Sequence, residues 1–376
     1  MIATAPGKLL LTGEYAVLEG APALVVAVTR RVVARRRAGA TGSSPFLISV
    51  ADELARRFGD RHPATRAAFE IVVDSSAFFI GSAKIGLGSS AAVTVAATAL
   101  ALAAERNAVP MIDRDTVLSI AMAAHKTAQT SRRRARDSGS HMIVRPSVRA
   151  STEEVPIGST SRDSAARIVA GPSVTGGNPA PLTQGGGSGA DVAAAVHGGV
   201  IAFSLQDAPE AQITRMAWPS RLHLIPFFTG ESADTTELIS RVMGARDSNR
   251  SEVEAALAAI GRASVAACEG ARSNSPERAA TAVLAALRQA GMATEALARA
   301  SGVELVPPSV AMAHRAMAKL GGIAKTTGAG GGDVAVAVIP ATEDPAAAER
   351  LLGEIGCHPL RAGVDATGVD LQPNAL

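Results

Sequence analysis

Apolar residues fall at nearly every position from Leu9 to Leu11 and from Ala23 to Val33, and Gly13, Gly20 and Pro22 separate the two runs. This pattern predicts strands joined by turns, with Ile71 to Val73 as a further strand. Ser89 to Arg106 follows a glycine-rich turn and carries Ala and Leu throughout, and Thr116 to Gln129 follows Asp115, a candidate cap. These segments predict two packed helices. After Gln129 the period is lost: residues 130–184 are rich in Ser, Arg, Pro, Gly and Thr. A structureless run of about 55 residues does not fit inside a compact domain, so it reads as an insertion forming a surface excursion. Order resumes with a glycine loop from Gly185 to Gly189, a helix over Ala190–Val196, a turn at Gly198-Gly199 and a strand over Val200–Phe203. Leu222–Phe228 and Val334–Ile339 predict strands, and Thr235–Met243, Val253–Ala267, Ala279–Ala298 and Ser309–Leu320 predict helices. The expected class is α+β.

With 376 residues, 47% of them apolar, the chain can bury a sizeable core, which excludes disorder as its main state. Its 37 Lys and Arg against 34 Asp and Glu leave a net charge of +3, too small for bulk attraction to a polyanion. Tyr15 and Trp218 are single and only eight Phe accompany them, so base stacking lacks material and a nucleic-acid partner is not expected. Arg132, Arg133, Arg134 and Arg136 form a local cluster that reads as a solvated segment. Gly139-Ser140-His141-Met142, just beyond, is a word that expression tags also leave behind, so an engineered junction stands beside a natural loop as its source. Ala91 to Ala104 is about fourteen residues long where a membrane span needs about twenty, and it reads as a buried helix. The opening MIATAPGKLL lacks a leader pattern. Cys268 and Cys357 support neither a disulfide framework nor a zinc site, which implies a reducing, cytoplasmic setting.

Three glycine loops carry the candidate chemistry. Lys84-Ile85-Gly86-Leu87-Gly88-Ser89-Ser90-Ala91-Ala92 runs into the Ala-rich helix, where free amides and the helix dipole favour a phosphate. Ser89 and Ser90 are candidates to cap the helix or to offer a hydroxyl to magnesium, and Lys84 to neutralise phosphate. No Gly-Lys-Ser or Gly-Lys-Thr closes the loop, so it is not a Walker motif. Gly185 to Asp191 ends in a carboxylate at a helix start, either a dipole partner or a general base or lysine partner. Thr326 to Asp333 is too glycine-dense for a hairpin turn and implies close backbone approach to a ligand or to another loop.

Taken in order, Pro6-Gly7-Lys8-Leu9 with Gly13 to Leu18, Gly86 to Ala92, and Gly328 to Asp333 resemble the three motifs of the GHMP kinases. The closest resemblance within that superfamily is to phosphomevalonate kinase, through Lys84 to Val93, Gly187 to Ala193, Trp218-Pro219-Ser220, Thr229 to Thr235 and Ala324 to Thr327. It covers nearly the whole chain outside Thr130 to about Thr183. The resemblance implies an N-terminal α/β domain over 1–204, interrupted by the insertion, and a ferredoxin-like C-terminal domain over 205–376. ATP and a small-molecule substrate would share the cleft, and the reaction would convert 5-phosphomevalonate to 5-diphosphomevalonate. Mevalonate kinase, another kinase of the superfamily, and a non-catalytic binding protein of this fold are the alternatives. The resemblance implies that Lys8, Lys84 and Asp191 are catalytic, that Gly86, Leu87, Gly88, Ser89, Ser90 and Ala91 bind ATP phosphates, and that Ser90 meets magnesium. Ser188, Ser232, Gly330 and Gly331 would lie at the substrate. Mevalonate kinases carry a magnesium-binding Glu where this chain has His125, if Gln129 is joined directly to the second glycine loop, and Ala180 otherwise. Tyr15, Trp218 and Lys325 read as packing or surface residues. The sequence carries no signal for an oligomeric state.

Overall fold

β1 (Ile2–Thr12) and β2 (Ala23–Arg36) form the antiparallel pair on which the first sheet is built. Their side chains alternate between two apolar clusters: Leu9, Leu24 and Val26 enter one, while Leu10, Ala23 and Val25 enter the other. The register shifts between Pro6 and Gly7, immediately before Lys8, and again between Leu10 and Thr12. The first shift leaves Thr29 and Arg30 of β2 outside the ladder, and Pro6, which has no amide hydrogen to give, stands at its edge. The structure, a computed structural model, describes residues 1–40, 44–105, 111–137, 187–205 and 211–373.

β3 (Ile71–Asp74) pairs with the far end of β2, and a small hairpin of β4 (Phe79–Ile80) and β5 (Ala83–Lys84) leads into the phosphate-loop candidate. β6 (Val200–Ser204) and β7 (Gln212–Met216) extend the sheet beyond β2. β12 (Asp370–Gln372) returns from the far end of the chain to pair with β1, giving the order β12-β1-β2-β6-β7. Residue 204, where the sequence reading divides the chain, therefore lies at the end of a strand whose partner belongs to the same sheet. Helices α1 (Pro45–Phe58), α2 (Pro63–Phe69), α3 (Ser89–Leu102), α4 (Arg114–Asp137) and α5 (Ala190–His197) accompany this sheet.

The second sheet has the order β11-β8-β10-β9, all antiparallel, from β8 (Leu222–Phe228), β9 (Ile323–Thr326), β10 (Val334–Pro340) and β11 (His358–Pro359). Between β8 and β9 run α6 (Thr235–Gly244), α7 (Arg246–Ala271), α8 (Pro276–Ser301) and α9 (Pro308–Ala318); α10 (Pro345–Glu354) joins β10 to β11. Strand, helices, strand, strand, helix, strand is the ferredoxin-like arrangement that was expected. α7 and α8 approach closely at Gly270, where a Cβ would lie 2.7 Å from that of Ala282.

The predicted strands and helices form, with additions. α1, α2 and α10 arise in stretches the periodicity left unassigned, each opening with a proline in its first turn, a position where the missing amide costs nothing. α4 continues past its expected end at Gln129 to Asp137, because Arg and Ala are strong helix formers that need no apolar stripe. The rest of the expected insertion, 138–184, lies outside the described residues, with the word Gly139 to Met142. No helix among the described residues is long and apolar enough to cross a membrane. Both cysteines are free and buried.

A buried ion pair fastens the second sheet to the end of β1. Lys325 on β9 donates from Nζ to the Glu14 carboxylate, to the Leu11 carbonyl at 2.9 Å and to the Thr326 carbonyl at 2.6 Å. Packing is thus the role of Lys325, around one charge. Lys325→Ala should strip the buried Glu14 of its cation and lower stability by about 3–5 kcal/mol in urea denaturation. The double variant Lys325→Met with Glu14→Gln should recover at least half of that loss; strictly additive losses would contradict the pairing.

Candidate active site

The site starts from a backbone contact. The Lys8 amide donates to the Leu87 carbonyl at 2.8 Å and so lays the first glycine loop against β1. Gly7 makes the room: a Cβ there would sit 2.7 Å from both the Leu87 oxygen and the Phe78 ring. Ile85 and Leu87 are fully buried and anchor the loop, which leaves Gly86 and Gly88 between the anchors. Gly88 has φ +75° and precedes the first helical residue of α3. A Cβ on it would meet Lys8 Cγ at 3.1 Å, so the lysine stem crosses the loop at the helix start. Contrary to expectation, neither serine caps α3: Ser89 is its first residue, and no side chain accepts from the helix amides. The first-turn amides are left for an anion.

Ser90 meets His125. The Ser90 hydroxyl and the His125 Nε2 are 3.2 Å apart, and the buried imidazole stacks on Phe46 with ring centres 5.4 Å apart. One turn further along α4, the Gln129 side-chain oxygen accepts from the Gly187 amide at 3.0 Å, so the second glycine loop abuts this helix. His125 thus lies beside the first glycine loop, and Ala180, the alternative position, lies outside the described residues. For magnesium, Ser90 offers one hard oxygen, and among the described residues no group of three or more His, Cys, Asp or Glu could hold a metal by itself. Such residues fit a magnesium that arrives with phosphate oxygens and water as its other ligands.

Four charges converge above the loop. Asp191 lies in the first turn of α5, after Gly189 at φ +85°, and its Oδ1 accepts from the Val192 amide at 2.9 Å. Burial pushes the Lys8 ammonium below its ordinary pKa, and Asp191 and Asp333 pull it back up. Lys84 ends β5 at the rim, where desolvation and then Arg132 lower its pKa and Asp333 raises it. Asp333 was not among the sequence candidates. Desolvation raises its carboxyl, opposed by Lys8, the Ala233 amide, Lys84 and the Gly86 amide. The only sequence signal was position, an acidic residue closing the third glycine loop.

That third loop is pinned to the first sheet. The Tyr15 hydroxyl donates to the Ala329 carbonyl at 2.7 Å, and the Gly328 amide donates to Leu10 at 3.3 Å. Gly330 is buried against the Leu305 backbone, whose carbonyl accepts from the Gly331 amide at 2.8 Å. Ser188 is half-buried and accepts from Ala190, while Ser232 is exposed on the segment between β8 and α6. Trp218 donates to the Leu222 carbonyl at 2.8 Å, a packing role, as does Tyr15 through its loop contact. Two cavities, of about 280 and 440 Å³, open against α8 and α9 and beside α7, and neither is lined by Lys8, Ser90 or Asp191.

No family model and no curated protein matches the chain. Solved structures do. The Lin0012 protein from Listeria innocua superposes with a TM-score of 0.67 at 18% identity, over 98% of this chain and 99% of that one. Streptococcus pneumoniae phosphomevalonate kinase, in complex with phosphomevalonate and AMPPNP, gives 0.64 at 17% identity, over 97% and 100%. L. major mevalonate kinase, in complex with R-mevalonate, gives 0.58 at 16% identity, over 93% and 90%. This chain has the two-domain α+β fold of the phosphomevalonate and mevalonate kinases, the fold class implied by the sequence resemblance.

Tyr15 reports on the pinned loops. It is the only tyrosine of the chain. Burial first, and then the Glu14 charge, raise its phenol well above the ordinary value. The unfolded phenol ionises near pH 10. A raised acid favours the folded state fully below that pH and loses this contribution as pH climbs toward the folded value. Ultraviolet titration should show tyrosinate near pH 10 in urea and none at that pH in the native protein; a native transition near 10 would contradict the buried placement.

Proposed function

We propose that this chain is an ATP-dependent kinase of the GHMP superfamily and that its acceptor is 5-phosphomevalonate, which it converts to 5-diphosphomevalonate with release of ADP. One observation carries this reading: the Lys8 stem crosses Gly88 at the open start of α3, with Asp191 and Asp333 acting on its ammonium. That arrangement suits a cation meeting a phosphoryl group held on helix amides. The motifs and the fold shared with a phosphomevalonate kinase support it.

In this reading the ATP phosphates rest on Gly86 to Ala91, and Lys84 neutralises their charge from the rim. Magnesium, when bound, screens the phosphate oxygens, and Ser90 offers it a ligand. Transfer breaks the bond from the γ-phosphorus to the bridging oxygen, which leaves on ADP, and forms one to an oxygen of the acceptor phosphate. That oxygen carries no proton at neutral pH, so Asp191 orients Lys8 rather than removing a proton. Ser188 and Ser232 serve the acceptor side, and Gly330 with Gly331 shape the opposite wall from the part formed by residues 205–376. The chain would act in the cytoplasm on a small-molecule substrate. A second reading, phosphorylation of mevalonate, is favoured by Asp191 itself: a carboxylate beside Lys8 also suits deprotonation of a hydroxyl acceptor.

Purified protein with magnesium ATP and, separately, 5-phosphomevalonate and mevalonate should release ADP and show a diphosphate doublet in the phosphorus spectrum with phosphomevalonate alone. ADP release with mevalonate only would move the protein to the second reading, and no release with either would sink both. Asp191→Asn should misplace Lys8 and lower kcat by about 100-fold while circular dichroism is unchanged. A protein that used this fold only for binding would not respond to that variant.

A further inference from the structure

Asp333 is the only non-glycine residue with positive φ among the described residues, at 60°. The left-handed region costs an ordinary side chain about 1–2 kcal/mol, and Asp and Asn bear it best. Glycine would bear it freely, and Gly330, Gly331 and Gly332 immediately before it do. The backbone is nevertheless stapled in place: the Asp333 amide donates to the Glu231 carbonyl at 2.7 Å, and its carbonyl accepts from the Thr229 amide at 2.9 Å and hydroxyl at 3.1 Å. A carboxylate held in a strained backbone by this much structure points to a task for the carboxylate.

Its direction is equally specific. Asp333 Oδ2 lies 2.7 Å from where a Gly86 Cβ would be, so the side chain reaches from the second sheet onto the bare backbone of the phosphate loop. Its other oxygen, Oδ1, is buried without a hydrogen-bond partner. Leaving a buried carboxylate oxygen unpaired is costly unless cations answer it. The cations whose charge it feels are Lys8, whose stem crosses Gly88, and Lys84, which leads into the loop. Lys8 is faced from α5 by Asp191 as well, and Lys84 from α4 by Arg132, so Asp333 is the carboxylate common to both lysines.

We propose that Asp333 is a positioning residue: carried by the third glycine loop, its carboxylate sets the charge and direction of Lys8 and Lys84 over the phosphate loop. The assignment rests on the kinase reading for its effect on turnover; for its effect on the lysines it rests on the carboxylate lying on Gly86, two residues from Lys84 and two from the Gly88 that the Lys8 stem crosses. Desolvation drives both ammonium groups toward the neutral form, which could not offset phosphoryl charge. Asp333 opposes that loss at both sites from a single point.

Asp333→Asn keeps the shape and tolerates positive φ, and Asp333→Gly removes the side chain while relieving the backbone; both should fold, with unchanged circular dichroism. With magnesium ATP and the acceptor that the wild type uses, kcat should fall about tenfold or more while the KM for ATP moves by less than about threefold. Independently of turnover, amine labelling by trinitrobenzenesulfonate at mildly alkaline pH, mapped by mass spectrometry, should become several-fold faster at Lys8 and Lys84 in both variants. The exposed Lys319 should label as before. Unchanged labelling of both lysines in either folded variant would overturn the proposal, whatever happens to kcat. If the wild type phosphorylates no acceptor, the kinase reading fails, and the labelling still decides the role of Asp333.

Discussion

Gly7 lacks a side chain, and Leu87 has its carbonyl where that side chain would begin. Through this gap the Lys8 amide reaches the Leu87 oxygen, and the rest of the site follows from that bond. It fixes the height of the phosphate loop on β1, and the loop in turn fixes where α3 starts. It also places the Lys8 stem across Gly88, since a strand bonded through its residue-8 amide must carry the residue-8 side chain past the neighbouring loop. The shift of register before Gly7 takes two residues of β2 out of the ladder, so β1 keeps its alternation and Lys8 stays on the face of Leu10. A methyl group at residue 7 would push strand and loop apart and separate the lysine from the helix terminus together.

Two sets of buried charges share this region and differ in how they are satisfied. Lys325 meets a carboxylate and two carbonyls, so its three donors are all answered and the group behaves as a fixed rivet between β9 and the end of β1. Lys8, Asp191 and Asp333 feel one another through space, and Asp333, like Glu14, keeps an unpartnered buried oxygen. What sets the second group apart is the backbone: Asp333 is held at positive φ, whereas the lysine rivet sits in a regular strand.

Much of this could be read from the sequence because glycine, lysine and serine at short spacing leave few physical interpretations. The loop from Gly86 to Ser90 and the strand carrying Lys8 are local, and their chemistry depends on neighbours in sequence. Asp333 was hidden for the opposite reason: its meaning depends on Gly86, Lys8 and Thr229, which only the packing of the two sheets brings together. The buried pairing of Lys325 with Glu14 escaped for the same reason, as an isolated lysine in a strand looks like any surface lysine. α4 was cut short because apolar periodicity was taken as the mark of a helix, whereas residues 130–137 are held by propensity with little to bury.

That extension of α4 changes the balance of charge at the site. Lys8 and Lys84 are matched in formal charge by Asp191 and Asp333. Arg132, on the added turns and over the Phe46 ring at 5.6 Å, acts on Lys84 and brings a further positive charge to the rim. An acceptor with a phosphate adds two charges beside those of ATP, and their mutual repulsion has to be screened before the reacting oxygens can approach. The added turns of α4 therefore bring to the rim a positive charge that the glycine motifs do not announce.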